Sequence, residues 1–310
     1  MFSDFNFENI HNIEFSLKID DKKNFDGYQS VPTSDGVKSV LKDVLTYTVK
    51  QIKWIDESGT NLEPERFELT EKYKATEPVI APYDDEMFGS LRELVDTEDE
   101  AIDTKYIDEP KKIPHYRVKF YDDNGNVIVA FKTASQFKSI LKHRNRIARL
   151  YNDSLVTCDE PYFKIDDDFD FLILGNTIAV YRPNSFKSIA SINQYITEAA
   201  ESKIDKLSQE ITFCDFDSIR AVACESRSIS KLIVAVARRN DLSRYSRERL
   251  EMHANTSGIS LIEVDGQLSP APGQEVEFLE LIDRRRYGVE FETGSVENYR
   301  AESRKLVLKG

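Results

Sequence analysis

Two hydrophobic periods follow each other near the start of the chain. Hydrophobic side chains occupy every second position from Ile13 to Ile19, and this period of two predicts a half-buried strand. A second short strand is predicted at 27–31, after which Pro, Ser, Asp and Gly residues mark a turn and a helix start. Hydrophobic residues then recur at helical spacing from about Gly36 to Trp54. This pattern predicts an N-terminal strand-helix region.

An acidic stretch follows this region. Carboxylates greatly outnumber cations between residues 82 and 110, and a short helix is predicted at 87–95. The remainder of the stretch has the composition of a solvated loop or linker. We therefore predict a domain boundary here. The N-terminal α+β region would span 1–110, with an acidic connector at about 82–110, and a second region would span 111–310.

The central part of the chain consists of alternating hydrophobic runs joined by tight turns. Asn-Gly at 124–125 is the strongest short-range signal for a hairpin, and Gly-Asn at 175–176 is a second one. The predicted strands lie at 116–121, 126–131, 155–163, 169–174 and 177–181. Because hairpin connections join antiparallel neighbours, we predict an antiparallel β-meander.

Beyond Asn184 the hydrophobic spacing is mostly helical. It continues to about Gln209 without a strong breaker. Further helices are predicted at 216–224, 228–239, 246–255 and 275–283, with a strand at 259–264. The predicted fold class is α+β, with a strand-helix region, a central antiparallel β-meander and a mostly helical C-terminal part.

The composition indicates the cellular compartment and bears on whether the protein can bind nucleic acid. The 310 residues contain no run of 18 or more apolar residues, and the three cysteines are widely spaced, which is typical of a reducing cytoplasm. We therefore expect a cytoplasmic protein. The formal net charge of −13 disfavours nucleic acid at long range. Because net charge is an average, the local distribution of charge decides more than the sum.

A search for catalytic chemistry finds little. The common nucleotide-binding, nucleophile-elbow and zinc-protease motifs are absent, and the four histidines lack ligand spacing. The densest carboxylate cluster runs from Asp166 to Asp170. Such a cluster could hold Mg²⁺ for phosphodiester cleavage, but it is also typical of a solvated turn between strands. We predict no catalytic residue, no metal ligand and no cofactor.

Basic residues form two segments that could contact phosphate. The segment 136–149 has five cations and no carboxylate, and 227–249 is rich in arginine with Tyr245 among the cations. Cations in such a stripe can follow a phosphate backbone and release counterions. The predicted DNA-binding residues are Lys138, Lys142, Arg144, Arg146, Arg149, Arg238, Arg239, Arg244 and Arg247.

Each basic segment also has an ordinary structural interpretation. The first could be a solvated surface that balances nearby acids. Arg238 and Arg239 end an apolar helix, where cations interact favourably with the helix dipole. A third cluster, Arg284-Arg285-Arg286, falls at another predicted helix end and has the same interpretation. The sequence leaves these alternatives open.

Three stretches together resemble a known family. The first is EPYFKIDDDFDF at 160–171, followed by a Gly-Asn hairpin and by Asn-Ser-Phe opening a helix. The second is the helical region with Arg238-Arg239, and the third comprises FLELID at 278–283, FETG at 291–294 and SRKL at 303–306. Over about 113–308 this pattern is similar to the KwaB family, the soluble components of bacterial Kiwa antiphage-defence systems.

The resemblance implies a cytoplasmic defence protein that binds DNA without strict sequence preference. Such a protein would associate with a membrane partner, KwaA, be recruited to the inner membrane by it, and hinder phage DNA replication or transcription. The family supplies no catalytic motif. We also expect a homo-oligomer, a dimer or higher. Two alternatives remain: an adaptor whose acidic stretch docks on the membrane partner, and a Mg²⁺-dependent nuclease using Asp166–Asp170.

Overall fold

The computed structural model describes most of the chain as two compact units. The described residues are 2–55, 57–73, 77–103, 105, 112–134, 148–151, 154–157, 163–223 and 226–302, with the backbone alone at 148–151 and 154–157. The first unit is Met1–Arg66 with Tyr73–Ser191, and the second is Phe67–Lys72 with Ile192–Gly310.

The first unit is built on a large sheet. The strands of the first unit are β1 (Ile10–Asp21), β2 (Phe25–Ser30), β3 (Glu65–Arg66), β4 (Val79–Pro82), β5 (Asp99–Ala101), β6 (His115–Asp122), β7 (Val127–Thr133), β8 (Ala148–Tyr151), β9 (Ser154–Thr157), β10 (Phe171–Leu174) and β11 (Thr177–Val180). Within the described residues, nine of them form one sheet in the order β3-β4-β11-β10-β7-β6-β1-β2-β5, and β8 pairs with β9 separately. The run β6, β7, β10, β11 is antiparallel throughout, which confirms four of the five strands of the predicted meander. The strand predicted at 155–163 does not join this run, because β9 pairs with β8 outside the large sheet.

The helices of the first unit are α1 (Asp35–Gln51), α2 (Gly89–Asp96) and α3 (Pro183–Ile189). The Ser34 hydroxyl accepts a hydrogen bond from the backbone N–H of Val37 and so caps α1. Leu41 and Leu45 of α1 are fully buried in the core of this unit, together with residues from β1, β6 and β10. The helix predicted at 36–54 is therefore present, although it ends three residues earlier.

The acidic stretch is folded structure where the structure describes it, rather than a linker. Arg117 on β6 is fully buried, and its guanidinium donates to the backbone oxygens of Leu94, Val95 and Thr97 and to the carboxylate of Asp99. These bonds attach the end of α2 and the start of β5 to the sheet, and β5 pairs in parallel with β2. The predicted boundary near 110 consequently lies inside the first unit, where β1 pairs with β6.

The second unit is mostly helical, as predicted. It contains α4 (Ile192–Glu210), α5 (Asp217–Ala223), α6 (Arg227–Ala237), α7 (Arg247–Thr256), α8 (Glu275–Ile282), and two hairpins formed by β12 (Leu261–Val264) with β13 (Gln267–Pro270) and by β14 (Arg286–Glu292) with β15 (Ser295–Arg300). Its core draws on all five helices, with Phe216, Ile233 and Phe278 among the most deeply buried side chains. With both units in place, the α+β fold class is confirmed.

The division between the units falls where the sequence showed no break. The helical spacing from Asn184 to about Gln209 predicted continuous helix, but α3 ends and α4 begins on either side of Ser191. Ser191 has a φ of 53°, in the left-handed region, and this conformation interrupts the helix. The first unit ends at Ser191 and the second resumes at Ile192.

Candidate nucleic-acid interface

The candidate site in the second unit begins at the end of α8. The backbone N–H of Arg285 donates to Glu280 O at 2.8 Å and that of Arg284 donates to Leu281 O at 2.9 Å, which is the Schellman arrangement. Arg284 has a φ of 57° and occupies the position where helices usually have glycine. An arginine in this left-handed conformation is strained by about 1–2 kcal/mol.

The three consecutive arginines after α8 separate into two environments. The guanidinium of Arg285 is buried and bonds to Asp283, Glu71 and the hydroxyl of Thr70 at 2.6–2.7 Å. By contrast, Arg284 and Arg286 line a cavity. The helix-dipole interpretation does not distinguish these environments: the middle arginine belongs to a buried ion-pair network, whereas the outer two line the cavity.

The opposite wall of the cavity comes from α7 and the turn before it. The Ser246 hydroxyl accepts a hydrogen bond from the backbone N–H of Arg249 and caps α7. Arg249 and His253 are four residues apart and therefore lie on one side of the helix, and both are exposed. Arg244 lies in the preceding 3-10 turn and is exposed as well. Helix α7 packs against α8 and β14, and this packing brings the two walls together.

Together these elements enclose what we call the arginine cavity, with a volume of about 480 Å³. It is lined by Arg244, Tyr245, Arg249, Leu250, His253, Leu281, Arg284, Arg286 and Tyr287. This lining contains four arginines and a histidine and no carboxylate. Its floor is apolar, since Leu250 and Leu281 are buried. A concave, cationic site of this kind suits an anion that also carries an apolar or aromatic part.

The cations of the cavity differ in how far other protein groups already neutralise them. Arg284 contacts the Asp241 carboxylate at 2.6 Å, and Arg286 contacts that of Glu280 at 2.8 Å. Within the described part of the chain, the side chains of Arg244 and Arg249 make no hydrogen bond or ion pair. These two arginines therefore keep their full donor capacity for a ligand.

Asp241 organises the cations behind the cavity. Burial acts to raise the pKa of its carboxyl, but hydrogen bonds from Arg239 and the positive charges of Arg239 and Arg284 outweigh burial and hold that pKa below its usual range. Asp241 therefore stays ionised near neutral pH. Tyr245 is fixed beside it, because its hydroxyl donates to Ile282 O at 2.7 Å and its ring has Arg239 and Arg284 at 6.0 Å.

The structure assigns different positions to the residues that the sequence singled out for DNA binding. Lys138, Lys142, Arg144 and Arg146 lie outside the described residues, and of Arg149 only the backbone, in β8, is described. Whether this segment contacts DNA stays a prediction.

The four predicted residues of the second unit also differ among themselves. Arg244 lines the arginine cavity. Arg238 is the C-cap residue of α6. Arg239 is nearly buried and bonds to Asp241 and to Ile282 O. Arg247 forms ion pairs with Glu251 and Glu263, at 3.1 and 2.9 Å. Of these four, Arg244 is the one whose side chain makes no hydrogen bond or ion pair among the described residues.

Sequence reasoning did not place Arg249, His253, Arg284, Arg286 and Tyr287 in a site. A partial signal existed, because the i, i+4 spacing of Arg249 and His253 predicts one helix face. The Arg triplet also falls directly after a helix, where a single glycine would be the ordinary residue. Only the packing of α7 on α8 shows that these two signals belong to one cavity.

The strained position of Arg284 leads to a stability prediction. Arg284→Ala and Arg284→Gly both remove the guanidinium and its ion pair, but only glycine adopts a φ near 57° without strain. We expect the glycine variant to be more stable than the alanine variant by about 1 kcal/mol. Native-state hydrogen exchange of the α8 amides measures this difference. Equal stability of the two variants would contradict the strain argument.

The carboxylates proposed for the nuclease alternative are engaged with cations. Asp168 pairs with Lys132 at 2.5 Å and with Arg182, and Asp170 lies 3.2 Å from Lys132 and accepts the N–H of Thr133. Among the described residues, no group of three or more His, Cys, Asp and Glu side chains is arranged to hold a metal ion. The cluster serves to attach β7 to the segment before β10.

Comparison with known proteins bears on the family. Residues 110–256 match the family model described as Kiwa protein KwaB-like. Over these residues the chain is similar to that family. The match implies a role in Kiwa antiphage defence and partner proteins within that system. It includes Arg244, Arg249 and His253, whereas the α8 side of the cavity lies beyond it. The resemblance seen in the sequence is thus confirmed over the matched range, and its extension to 308 stays a prediction.

The search of curated proteins gave no match, and neither did the search of solved structures. In the part of the chain that the structure describes, every helix is too short or too polar to cross a membrane.

Proposed function

We propose that this KwaB-like protein binds DNA with little sequence preference, acts with the membrane protein KwaA, and hinders phage DNA replication or transcription. The observation that carries the proposal is the arginine cavity, where four arginines and a histidine converge without a lining carboxylate. Arg244 and Arg249 make no side-chain hydrogen bond within the described ranges, so their guanidinium groups can donate hydrogen bonds to phosphate oxygens. Contacts to phosphate carry no sequence information, and they therefore support binding of many sequences.

The negative net charge of −13 is compatible with such a site. At physiological ionic strength, charges farther apart than about 8 Å are largely screened. A phosphate in the cavity would thus respond mainly to the nearby arginines. The overall charge would still slow the approach of DNA.

The test is the affinity for labelled DNA as a function of salt, measured by fluorescence anisotropy. We expect the logarithm of the association constant to fall linearly with the logarithm of salt concentration between about 50 and 200 mM. Two DNA fragments of unrelated sequence should bind within about twofold of each other, since phosphate contacts dominate. An absence of binding, or an affinity indifferent to salt, would contradict the proposal.

A second candidate function is docking of the acidic stretch on a basic surface of the membrane partner. The observation in its favour is a row of exposed carboxylates along α2 and its flanks, at Asp84, Glu86, Glu93, Asp96, Glu98 and Glu100. We expect Glu93→Lys/Asp96→Lys to reduce co-purification with KwaA at least several-fold, because exposed rim charges govern association. Substituting exposed Asp35 and Glu57 instead provides the control. Unchanged co-purification would exclude this surface.

A further inference from the structure

The arginine cavity contains side chains that phosphate binding alone does not require. Its volume, about 480 Å³, falls in the range of sites that enclose a small molecule, which is about 300–1,000 Å³. A site for phosphate alone needs only cations and N–H donors. This cavity also presents two tyrosines and two leucines, and such side chains contact apolar or aromatic ligand groups.

Tyr287 is the aromatic side chain best placed to receive a flat ligand. It lies at the start of β14, lines the cavity, and is 47% exposed. Its ring stacks on that of Tyr299 across the β14–β15 hairpin, with centroids 5.9 Å apart and planes inclined by 20°. This support holds the ring in place while leaving much of it open. An exposed, preorganised ring loses little entropy when a base stacks on it.

Charge and aromatic surface occur together in the cavity. Arg244 and Arg249 lie on the α7 side, and Tyr287 lies on the β14 side, with buried Leu250 and Leu281 between them as the apolar floor. Proteins that bind single strands combine cations for the backbone with rings on which bases stack. In a duplex the bases are paired and stacked inside, so they cannot enter a cavity unless they are extruded.

We propose that the arginine cavity takes up one unpaired nucleotide of single-stranded DNA, with its phosphate at Arg244 and Arg249 and its base against Tyr287. This inference rests on the proposed function and specifies its substrate. It makes an unpaired strand, rather than intact duplex, the preferred ligand of the second unit.

The test compares three labelled ligands of equal length at constant salt: oligothymidine, an abasic oligomer with the same phosphates, and a duplex. We expect the wild-type protein to bind oligothymidine roughly 5- to 150-fold more tightly than the abasic oligomer, which is the range for one stacked base. Equal affinity for these two single strands would overturn the inference. Such a result would leave the proposed function intact, because phosphate binding would persist. If none of the three ligands binds, the proposed function itself fails.

Variants of Tyr287 locate the base. Tyr287→Leu should lower oligothymidine affinity by a similar factor and leave abasic binding within about twofold, while Tyr287→Phe should bind like the wild type because stacking needs the ring and not the hydroxyl. The control is Tyr47→Leu, at an exposed tyrosine of α1 in the first unit. A loss of abasic binding in Tyr287→Leu that is as large as the loss of oligothymidine binding would overturn the assignment. Displacement of oligothymidine by an equal concentration of free thymidine 5′-monophosphate would overturn the choice of a strand as the ligand, because a free nucleotide would then be the preferred occupant.

Discussion

Charge reversal at Arg244 and Arg249 together is expected to reduce DNA affinity at least about 100-fold. Each arginine has no internal partner in the described structure, so each can donate charge-assisted hydrogen bonds to phosphate. Such bonds contribute about 1.5–3 kcal/mol apiece, and each 1.4 kcal/mol is tenfold in affinity. The introduced glutamates add repulsion. In addition, the slope of log affinity against log salt should become shallower by about 2, one unit for each lost phosphate contact.

The control for this variant must change the net charge equally without touching the cavity. Arg227→Glu with Lys50→Glu meets this need, because both side chains are exposed and neither lines the cavity. We expect the control to retain affinity within a few-fold, since surface charges at a distance are screened. Circular dichroism would verify that both variants are folded. If the two double variants lose affinity equally, the effect belongs to net charge and the arginine cavity is not the site.

Arg285→Ala is expected to destabilise the second unit by about 3–5 kcal/mol, the usual effect of removing one member of a buried ion pair. The Arg285 guanidinium bonds to Asp283 at 2.7 Å, to Glu71 and Thr70 at 2.6 Å, and to Glu302 O at 2.7 Å. Alanine would remove the Arg285 guanidinium from the carboxylate of Asp283, which is fully buried and lies 3.9 Å from Arg239.

These contacts also explain why a distant segment of the chain belongs to the second unit. Segment 67–72 comes from a distant part of the sequence, yet it belongs to this unit. Thr70 and Glu71 within it bond directly to Arg285. Loss of Arg285 should therefore release this segment as well as loosen the end of α8.

Hydrogen exchange resolved by peptide is the suitable measurement, since the single tryptophan, Trp54, reports on the first unit. Amides of α6 and α8 and of the segment 67–72 should exchange faster in Arg285→Ala, while those of β6 and β7 should be unchanged. Arg284→Ala is the neighbouring control, and its half-exposed ion pair predicts a loss of no more than about 1 kcal/mol. If both variants behave alike, the buried network does not stabilise the unit as argued.

The elements that the sequence predicted well are those specified by local interactions. The turns at Gly125 and Gly175 have φ values of 81° and 54°, which glycine adopts freely, so the hairpins β6–β7 and β10–β11 could be predicted from a few residues. The amphipathic helix α1 and the strand β1 followed equally from their periods. The acidic stretch was misjudged because composition alone could not reveal that buried Arg117 binds its backbone.

The candidate site could be predicted only in part. Arg244 was recognised from the density of cations around it, but so were Arg239 and Arg247, which the fold uses in internal ion pairs. Density of charge cannot distinguish these cases. Whether an arginine is available depends on which carboxylates the folded chain brings to it. Asp241 precedes a 3-10 turn and Glu263 lies in β12, and neither position has a sequence signature of that role.

By itself, then, the sequence determined the α+β class, the meander, the helices of the second unit and the KwaB-like resemblance, because periodicity and turn chemistry act over a few neighbouring residues. The tertiary structure decided the division of the chain at Ser191, the separate roles of the three arginines after α8, and the meeting of Arg249 with Arg286 in one cavity. These features depend on contacts between residues far apart in sequence. A left-handed φ at a serine and the packing of α7 on α8 arise from the free energy of the whole fold, and no local pattern encodes them.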